Sequence, residues 1–396
     1  MFTDRLKQFC LAVAVCVLSF AAISSAQVPS SNHVFVLMEE NHSYSQVVGS
    51  PNMPYLNSLI QQYGLATNYD ANSHYSLPNY FWITTGKYLT LNDGTTAVFN
   101  VDNVVRQMLS AGKTWKAYEE SIPSEGYTGG TVEPYEKNHN PFSYLSDVVN
   151  SSQANNMVPF TQFATDIANN DLPNFGWIGP NGTHNGHNAG LPTMDAWLKA
   201  NLPQLLSSPA FQPGGDGLLI ITFDESVDSD CAPLASCPKL PENGGGGHVA
   251  TVLIGPNVKK GFQSSTFYQH PSVLRTALMA LGINSAPGAA ATAPLMTDFF
   301  SATTTGCTGT GTNQTVTICS PANGTTMGTT AVEVSAVAND SKPVSFTQVY
   351  IDGVKKYEVM GGKVDTTLTL ASGTRRITVQ AYDGIYFKST IYVTVP

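Results

Sequence analysis

Gly217 to Phe223 reads Gly-Leu-Leu-Ile-Ile-Thr-Phe and stops at once in Asp224-Glu225. A nearly continuous apolar run of this length, with no polar alternation, is the pattern of a strand buried on both faces of a sheet. Two further stretches repeat it. His33 to Met38 (His-Val-Phe-Val-Leu-Met) ends in Glu39-Glu40-Asn41-His42-Ser43, and Pro173 to Ile178 is followed by a polar loop from Pro180 to Asn188. Val249 to Ile254 and Thr114 to Tyr118 add shorter runs. Between them, Met53 to Gly64, Val101 to Leu109, Phe160 to Asn169, Thr193 to Leu206 and His270 to Leu281 carry helical patterns. Strands alternating with helices predict an α/β domain whose largely parallel sheet is sandwiched by helices. In such sheets ligands gather beyond the carboxyl ends of the strands, where these polar clusters fall.

One more polar stretch matters, Ser73-His74-Tyr75-Ser76-Leu77-Pro78-Asn79-Tyr80. Pro78 is tolerated in the first turn of a helix, where its missing N–H costs nothing. Ser76 therefore sits at or next to the N-cap, facing free N–H groups and the positive end of the helix dipole. A capping serine is one use of that position. Binding and attacking a phosphate is another.

The chain changes character near Ala302. Residues 303–315 are rich in Thr and Gly and read as a linker. Beyond them come several short strand-like stretches: Val332 to Ser335, Val344 to Ile351, Thr366 to Leu370, Ile377 to Tyr382 and Ile391 to Val395. Asp352-Gly353, Gly361-Gly362, Ser372-Gly373 and Asp383-Gly384 mark turns between them. Residues 316–396 are expected to form a small immunoglobulin-like β-sandwich. It has no acid–base constellation, which leaves a module that binds a surface or glycan, or a passive spacer.

At the other end, Arg5 and Lys7 precede an apolar run from Leu11 to Ile23 and the small residues Ser24-Ser25-Ala26. This is the layout of a signal peptide over residues 1–26, and the run is short for a membrane span. The expected location is secreted or periplasmic, with the catalytic domain at residues 27–302. Four cysteines follow the leader. Their close spacing points to Cys231–Cys237 and Cys307–Cys319 pairing, one of three possible connectivities. The formal net charge is −9, and no basic block exceeds a pair of residues. Nucleic-acid binding therefore has no electrostatic support.

The polar clusters define a chemistry. Glu40, Asn41, Asp224 and Glu225 offer hard oxygen ligands for a divalent metal ion of unspecified identity. Glu39 precedes Glu40, and the pattern of the strand leaves open which of the two points inward. His139, His187, His248 and His270 all lie in loops or at element ends, as anion-binding or general-acid groups do. Asn79 is placed to donate to a phosphate oxygen. The composite is phosphoryl transfer, with metal-activated Ser76 as nucleophile, a histidine protonating the leaving group, and water releasing the phosphate.

With these residues in view, the chain resembles the bacterial phosphoesterases, a family of secreted acid phosphatases and phospholipases C within the alkaline phosphatase-like superfamily. The segments that carry the resemblance are Val34 to Ser43, Ser76 to Tyr80, His139-Asn140-Pro141-Phe142, Pro180 to Asn188, Leu218 to Glu225 and His270 to Thr276. The resemblance implies an alkaline phosphatase-like fold, with a metal site of Glu40, Asn41, Ser76, Asp224 and Glu225. It makes Ser76, His139 and His187 catalytic, and places His248 and His270 near later loops of the active site. It implies a phosphate-ester substrate, with a phospholipid or phosphoinositide headgroup among the candidates. Cleavage of phosphodiesters is the alternative activity, and a surface-binding protein with a degenerate phosphoesterase domain is the non-enzymatic one. Related enzymes commonly carry aspartates where this chain has Asn185 and Asn188, which removes an expected carboxylate partner for His187.

Overall fold

The structure, a computed structural model, describes residues 27–227, 245–300, 307, 313–327 and 330–396. The expected signal peptide, the Cys231–Cys237 pair and most of the linker lie outside these residues. Eight strands form one sheet: β1 (Val34–Glu39), β2 (Gly64–Ala66), β3 (Trp115–Glu119), β4 (Met157–Pro159), β5 (Phe175–Gly179), β6 (Leu218–Phe223), β7 (Thr251–Ile254) and β8 (Phe262–Ser264). Their spatial order is β4-β3-β5-β1-β6-β7-β2-β8. Only β7 runs against its neighbours. The three longest apolar runs of the sequence therefore lie side by side, with β1 between β5 and β6.

The helices are α1 (Tyr44–Val47), α2 (Pro54–Gln62), α3 (Ser76–Thr85), α4 (Val104–Ser110), α5 (Ser146–Val149), α6 (Thr161–Ala168), α7 (Leu191–Leu206) and α8 (His270–Ala280). Helices α3 and α4 pack on α8, whereas α2 and α6 pack on α7. Every residue of β1 and β6 is buried, so both faces of the central sheet are covered. Burying a Val, Leu, Ile or Phe side chain stabilises by roughly 1.5–3 kcal/mol, which explains why these runs are almost wholly apolar; the one interior polar residue, Thr222, shares its hydroxyl with Thr251 at 2.7 Å. Gly176 shows how close the packing is: a Cβ there would come within 2.2 Å of the Phe35 ring.

The second domain follows. Strands β9 (Thr315–Ser320), β10 (Ala331–Asn339) and β13 (Lys363–Thr369) form one antiparallel sheet. Strands β11 (Phe346–Ile351), β12 (Val354–Met360), β14 (Gly373–Tyr382) and β15 (Tyr386–Val395) form another, in the order β12-β11-β14-β15. Val332, Val334, Val349, Ile377, Val379 and Val393 meet between them as a separate core. The two-sheet sandwich agrees with the expected fold class. Strands β9 and β12 were not expected. The first begins in the Thr-rich linker sequence, and the second is nearly all exposed and lacks a clean apolar alternation. Cys307 and Cys319 are joined by a disulfide across 5.5 Å between Cα atoms. Among the described residues, no helix is long and apolar enough to cross a membrane.

Candidate active site

The carboxyl ends of β1 and β6 are paired strand to strand, which brings Glu40 and Asp224 together above the sheet. The Asn41 N–H donates to Asp224 Oδ1 at 2.8 Å. Asn41 adopts a left-handed backbone, φ 55°, a conformation asparagine tolerates better than most residues. The turn from β1 is thereby fastened to the end of β6.

Helix α3 delivers the next groups. Tyr75 is its extended cap residue and Ser76 its first helical residue. Ser76 Oγ donates to Glu40 Oε2 at 2.9 Å, and one turn later Tyr80 OH donates to Glu40 Oε1 at 2.6 Å. The spacing of four residues puts both hydroxyls on one helix face. The alternation left open at Glu39 and Glu40 is decided by the helices. Glu40 faces α3. Glu39 is buried with neither carboxyl oxygen hydrogen-bonded among the described residues, and burial, with the charge of Glu120, pushes its pKa up.

Burial pushes the pKa of Glu40 up, and the charge of Asp224 adds to the shift against the opposing hydrogen bonds from Tyr80 and Ser76. Burial also raises Asp224, against the Asn41 N–H and the Ser76 hydroxyl. Glu225 is pushed up to about 8, first by burial and then by the Asp224 charge, while His74 opposes both. His74 Nδ1 stands 2.5 Å from Glu225 Oε2. Asp224 Oδ2 is buried without a partner. Three carboxyl groups buried together repel one another when ionised, and a divalent cation relieves that repulsion. The donor set thus fits a metal. Among the described residues, Glu40, His139 and His187 also bring one ligand atom each to within 4.8 Å of one another.

His139 Nε2 lies 3.3 Å from Glu40 Oε1, and its ring stacks on Tyr80. Its Nδ1 is 3.0 Å from Glu136 Oε2 and 3.0 Å from Asn185 Nδ2. A carboxylate accepting from Nδ1–H leaves the Nε2 lone pair facing Glu40. His187 is 40% exposed at the mouth; its Nδ1 is 2.9 Å from Asn188 Oδ1 and 3.9 Å from Glu136 Oε1. Asn188 Nδ2 donates to Glu136 Oε1 at 2.7 Å. The carboxylate missing at positions 185 and 188 is therefore present, contributed by Glu136 from the preceding loop. Burial alone would raise the Glu136 pKa. The hydrogen bond and charge of His139, with His187 and Asn188, outweigh burial and hold it below the usual glutamate value.

Asn79, His270 and His248, expected at the substrate, bond to backbone groups and neighbouring side chains. Asn79 Oδ1 accepts from the N–H groups of Asn72 and Ser73, and its Nδ2 donates to the carbonyls of Ser73 and Tyr75. Its amide is consumed in shaping the loop before Ser76. His270 is fully buried, with Nε2 donating to the Asp224 backbone carbonyl at 2.8 Å and Nδ1 at 2.9 Å from Tyr69 OH. Burial, against that backbone bond, lowers its pKa to about 4, so it is a neutral strut. His248 stacks on Tyr44 at 4.2 Å and places Nε2 3.1 Å from the Thr67 carbonyl. Conversely, the sequence reading passed over His74, Tyr80, Glu136 and Asp93. Asp93 Oδ1 accepts from the Leu77 N–H at 3.0 Å, which puts a carboxylate at the start of α3. The spacing of Tyr80 four residues after Ser76 was the only local signal for any of these.

The model of the Phosphoesterase family matches residues 50–283, more than half of the chain. The chain belongs to the Phosphoesterase family. The match runs from the loop before α2 to the end of α8, and so takes in Ser76, His139, His187, Asp224 and Glu225. A bacterial Ig domain matches residues 315–379, the start of the second domain. Curated relatives of the chain include a probable acid phosphatase of Kluyveromyces lactis, 29% identical over 265 residues, 64% of this chain and 58% of that protein. A phosphatidylinositol-3-phosphatase of Mycobacterium tuberculosis is 27% identical over 280 residues, 70% of this chain and 86% of that protein. An acid phosphatase of Aspergillus fumigatus is 28% identical, over 67% of this chain and 58% of that protein. The matched segment therefore spans little more than half the length of the two fungal relatives. Among solved structures, a Vibrio parahaemolyticus protein of the alkaline phosphatase superfamily is similar at 12% identity and a TM-score of 0.46, over 80% of this chain and 78% of that one.

Proposed function

We propose that this chain is an exported, metal-dependent phosphomonoesterase that works through a phosphoserine at Ser76. The observation that carries this reading is the Ser76 hydroxyl itself, in the first turn of α3, 2.9 Å from a buried carboxylate that can take its proton. Glu40, Asn41, Ser76, Asp224 and Glu225 are the residues that would hold a divalent cation, with His139 and His187 within ligand reach of Glu40. A bound cation would stabilise charge on the phosphate oxygens and on the serine alkoxide.

The chain's own groups account for the remaining steps. Ser76 Oγ attacks phosphorus and passes its proton toward Glu40 Oε2. The leaving oxygen departs with a proton from His187, the histidine open to the mouth, and Glu136 and Asn188 hold that ring in place. Water entering from the same side attacks the phosphoserine, and His187 accepts the proton of that water. Ser76 Oγ, leaving phosphorus, takes its proton back from Glu40 Oε2, so serine is regenerated and phosphate is released. Substrates of this class are phosphate monoesters, including phosphoinositide headgroups, for which the name and coverage of the mycobacterial relative speak. Export is supported by the leader sequence and by the Cys307–Cys319 disulfide, since such bonds persist in oxidising compartments.

The test is hydrolysis of p-nitrophenyl phosphate and p-nitrophenyl phosphorylcholine by the purified protein, with and without a chelator. Chelator-sensitive turnover of the monoester is expected. Ser76→Ala should abolish it, and mass spectrometry of acid-quenched wild type should find phosphate on Ser76. Preference for the choline diester would move the assignment to a phosphodiesterase, and full activity of Ser76→Ala would remove Ser76 as nucleophile.

A further inference from the structure

The outer face of the second sheet in the C-terminal domain carries a groove of about 420 Å³ that the reaction at Ser76 does not use. That volume lies in the range of small-molecule and oligomer sites, roughly 300–1,000 Å³. Strand register explains its lining. Tyr350, Thr378 and Thr390 stand in one row across β11, β14 and β15, with Arg376 beside Tyr392 in the next. Gln380 and Lys388 form the row on the other side. The alternate residues of the same strands, among them Ile377, Val379, Ile391 and Val393, fill the core of the domain. Period-two alternation thus puts every groove residue on the solvent face.

Charge sets this groove apart from the rest of the chain. Residues 313–396 contain seven lysines and arginines against six acids, so the chain's net charge of −9 resides elsewhere. Two other cations of this sheet are paired: Arg375 with Asp352 at 3.1 Å, and Lys355 with Glu358 at 2.8 Å. Asp352 is taken further by the Arg376 N–H at 2.9 Å. Arg376 and Lys388, the two cations in the groove, form no ion pair among the described residues, and no carboxylate lines it. Tyr392 is 51% exposed, an aromatic face open to solvent.

The partner follows from this inventory. Two cations are too few for a nucleic acid, whose binders make about 6–10 phosphate contacts. They are also too few for an anionic membrane, which takes clusters of about 4–8 basic residues. Two tyrosines, two threonine hydroxyls and a glutamine amide instead match a chain of hydroxylated rings, stacked on the aromatics and hydrogen-bonded along its edge. We propose that this groove binds an acidic polysaccharide, with sugar rings against Tyr350 and Tyr392 and the acidic groups of the sugar on Arg376 and Lys388. The site makes the C-terminal domain an anchor that holds the chain on a polyanionic surface. It is independent of the chemistry assigned to Ser76.

Affinity electrophoresis of the full chain tests it, in gels containing polygalacturonate, dextran sulfate, or the neutral parent dextran. Retention by at least one acidic polymer and none by dextran is expected, weakening as salt is raised. The Arg376→Ala/Lys388→Ala pair should weaken retention on the order of tenfold, and Tyr392→Ala should weaken it at unchanged charge. Hydrolysis of a soluble phosphate ester should be unaffected by all three substitutions, and circular dichroism and Tm of the variants, unchanged from wild type, show that the C-terminal domain still folds. No retention by either acidic polymer overturns the proposal. So does retention that survives both the double variant and Tyr392→Ala, or equal retention by dextran. Sedimentation of the chain with phosphatidylglycerol vesicles, abolished by Arg376→Ala/Lys388→Ala, would assign the groove to a membrane and likewise overturn it.

Discussion

Glu136→Gln is the substitution that most directly tests how this site replaces its missing aspartates. Glu136 is 8% exposed, lies 3.0 Å from His139 Nδ1, and accepts from Asn188 at 2.7 Å. Glutamine keeps the shape and removes the charge. A hydrogen bond to an ionised group contributes about 1.5–3 kcal/mol, which corresponds to roughly a 10- to 150-fold change in an equilibrium or rate. Groups that orient a metal-binding histidine typically matter by about 10–100-fold, and the two ranges agree. We therefore expect kcat for p-nitrophenyl phosphate to fall by about 10–100-fold, with zinc or manganese affinity weakened in parallel and thermal stability nearly unchanged. Asn185 Nδ2 lies as close to His139 Nδ1 as Glu136 does. Asn185→Asp in the Glu136→Gln background should consequently restore much of the loss, because it returns a carboxylate to the same ring nitrogen. Kinetics and metal titration of the two variants and wild type decide the matter. If Glu136→Gln turns over within about twofold of wild type, or if Asn185→Asp gives no rescue in a folded protein, Glu136 does not do the work assigned to it.

Two further expectations concern the scaffold. Asp166 accepts from Lys116 Nζ at 2.6 Å, Tyr118 OH at 2.7 Å and Gln162 Nε2 at 2.8 Å. Burial alone would raise its pKa, but these donors outweigh burial and lower it. Its contribution is therefore complete above the unfolded aspartate value of about 3.9 and is lost as pH falls through the lower folded value. Asp166→Asn should reduce Tm near neutral pH, with the gap from wild type closing below about pH 4; a gap that persists at pH 2 would contradict this. Gly176→Ala would force a methyl to 2.2 Å from the Phe35 ring in the central sheet. A loss of about 1–3 kcal/mol or more in urea denaturation is expected, and unchanged stability would show that the core yields there.

Local pattern made much of the fold legible. A strand buried on both faces is apolar at nearly every position, so Val34 to Met38 and Leu218 to Phe223 announce themselves without reference to any partner. The polar residues that break such runs stand out by the same logic, which is why Glu40, Asn41, Asp224 and Glu225 were readable, although Glu40, Asp224 and Glu225 are buried. Pro78 marked the start of α3 through its own backbone chemistry. The β9 and β12 strands were illegible because edge strands of a small sandwich do not need a clean alternation.

What tertiary structure alone decided is which polar atoms meet. Asn79, His248 and His270 have the residue types of ligand contacts, yet packing turned each toward backbone groups of neighbouring loops. Glu39 and Glu40 are adjacent and chemically equal in sequence; the structure separates them, Ser76 and Tyr80 donating to Glu40 while both carboxyl oxygens of Glu39 are buried without a hydrogen bond among the described residues. Glu136 and His74 sit in loops whose composition carries no signal of the histidine and carboxylate they serve. Hydrophobic burial is encoded residue by residue, so a single strand reveals it. A hydrogen bond at 3 Å between residues 46 or 183 positions apart depends on the placement of two elements at once, and only the assembled sheet and helices supply that.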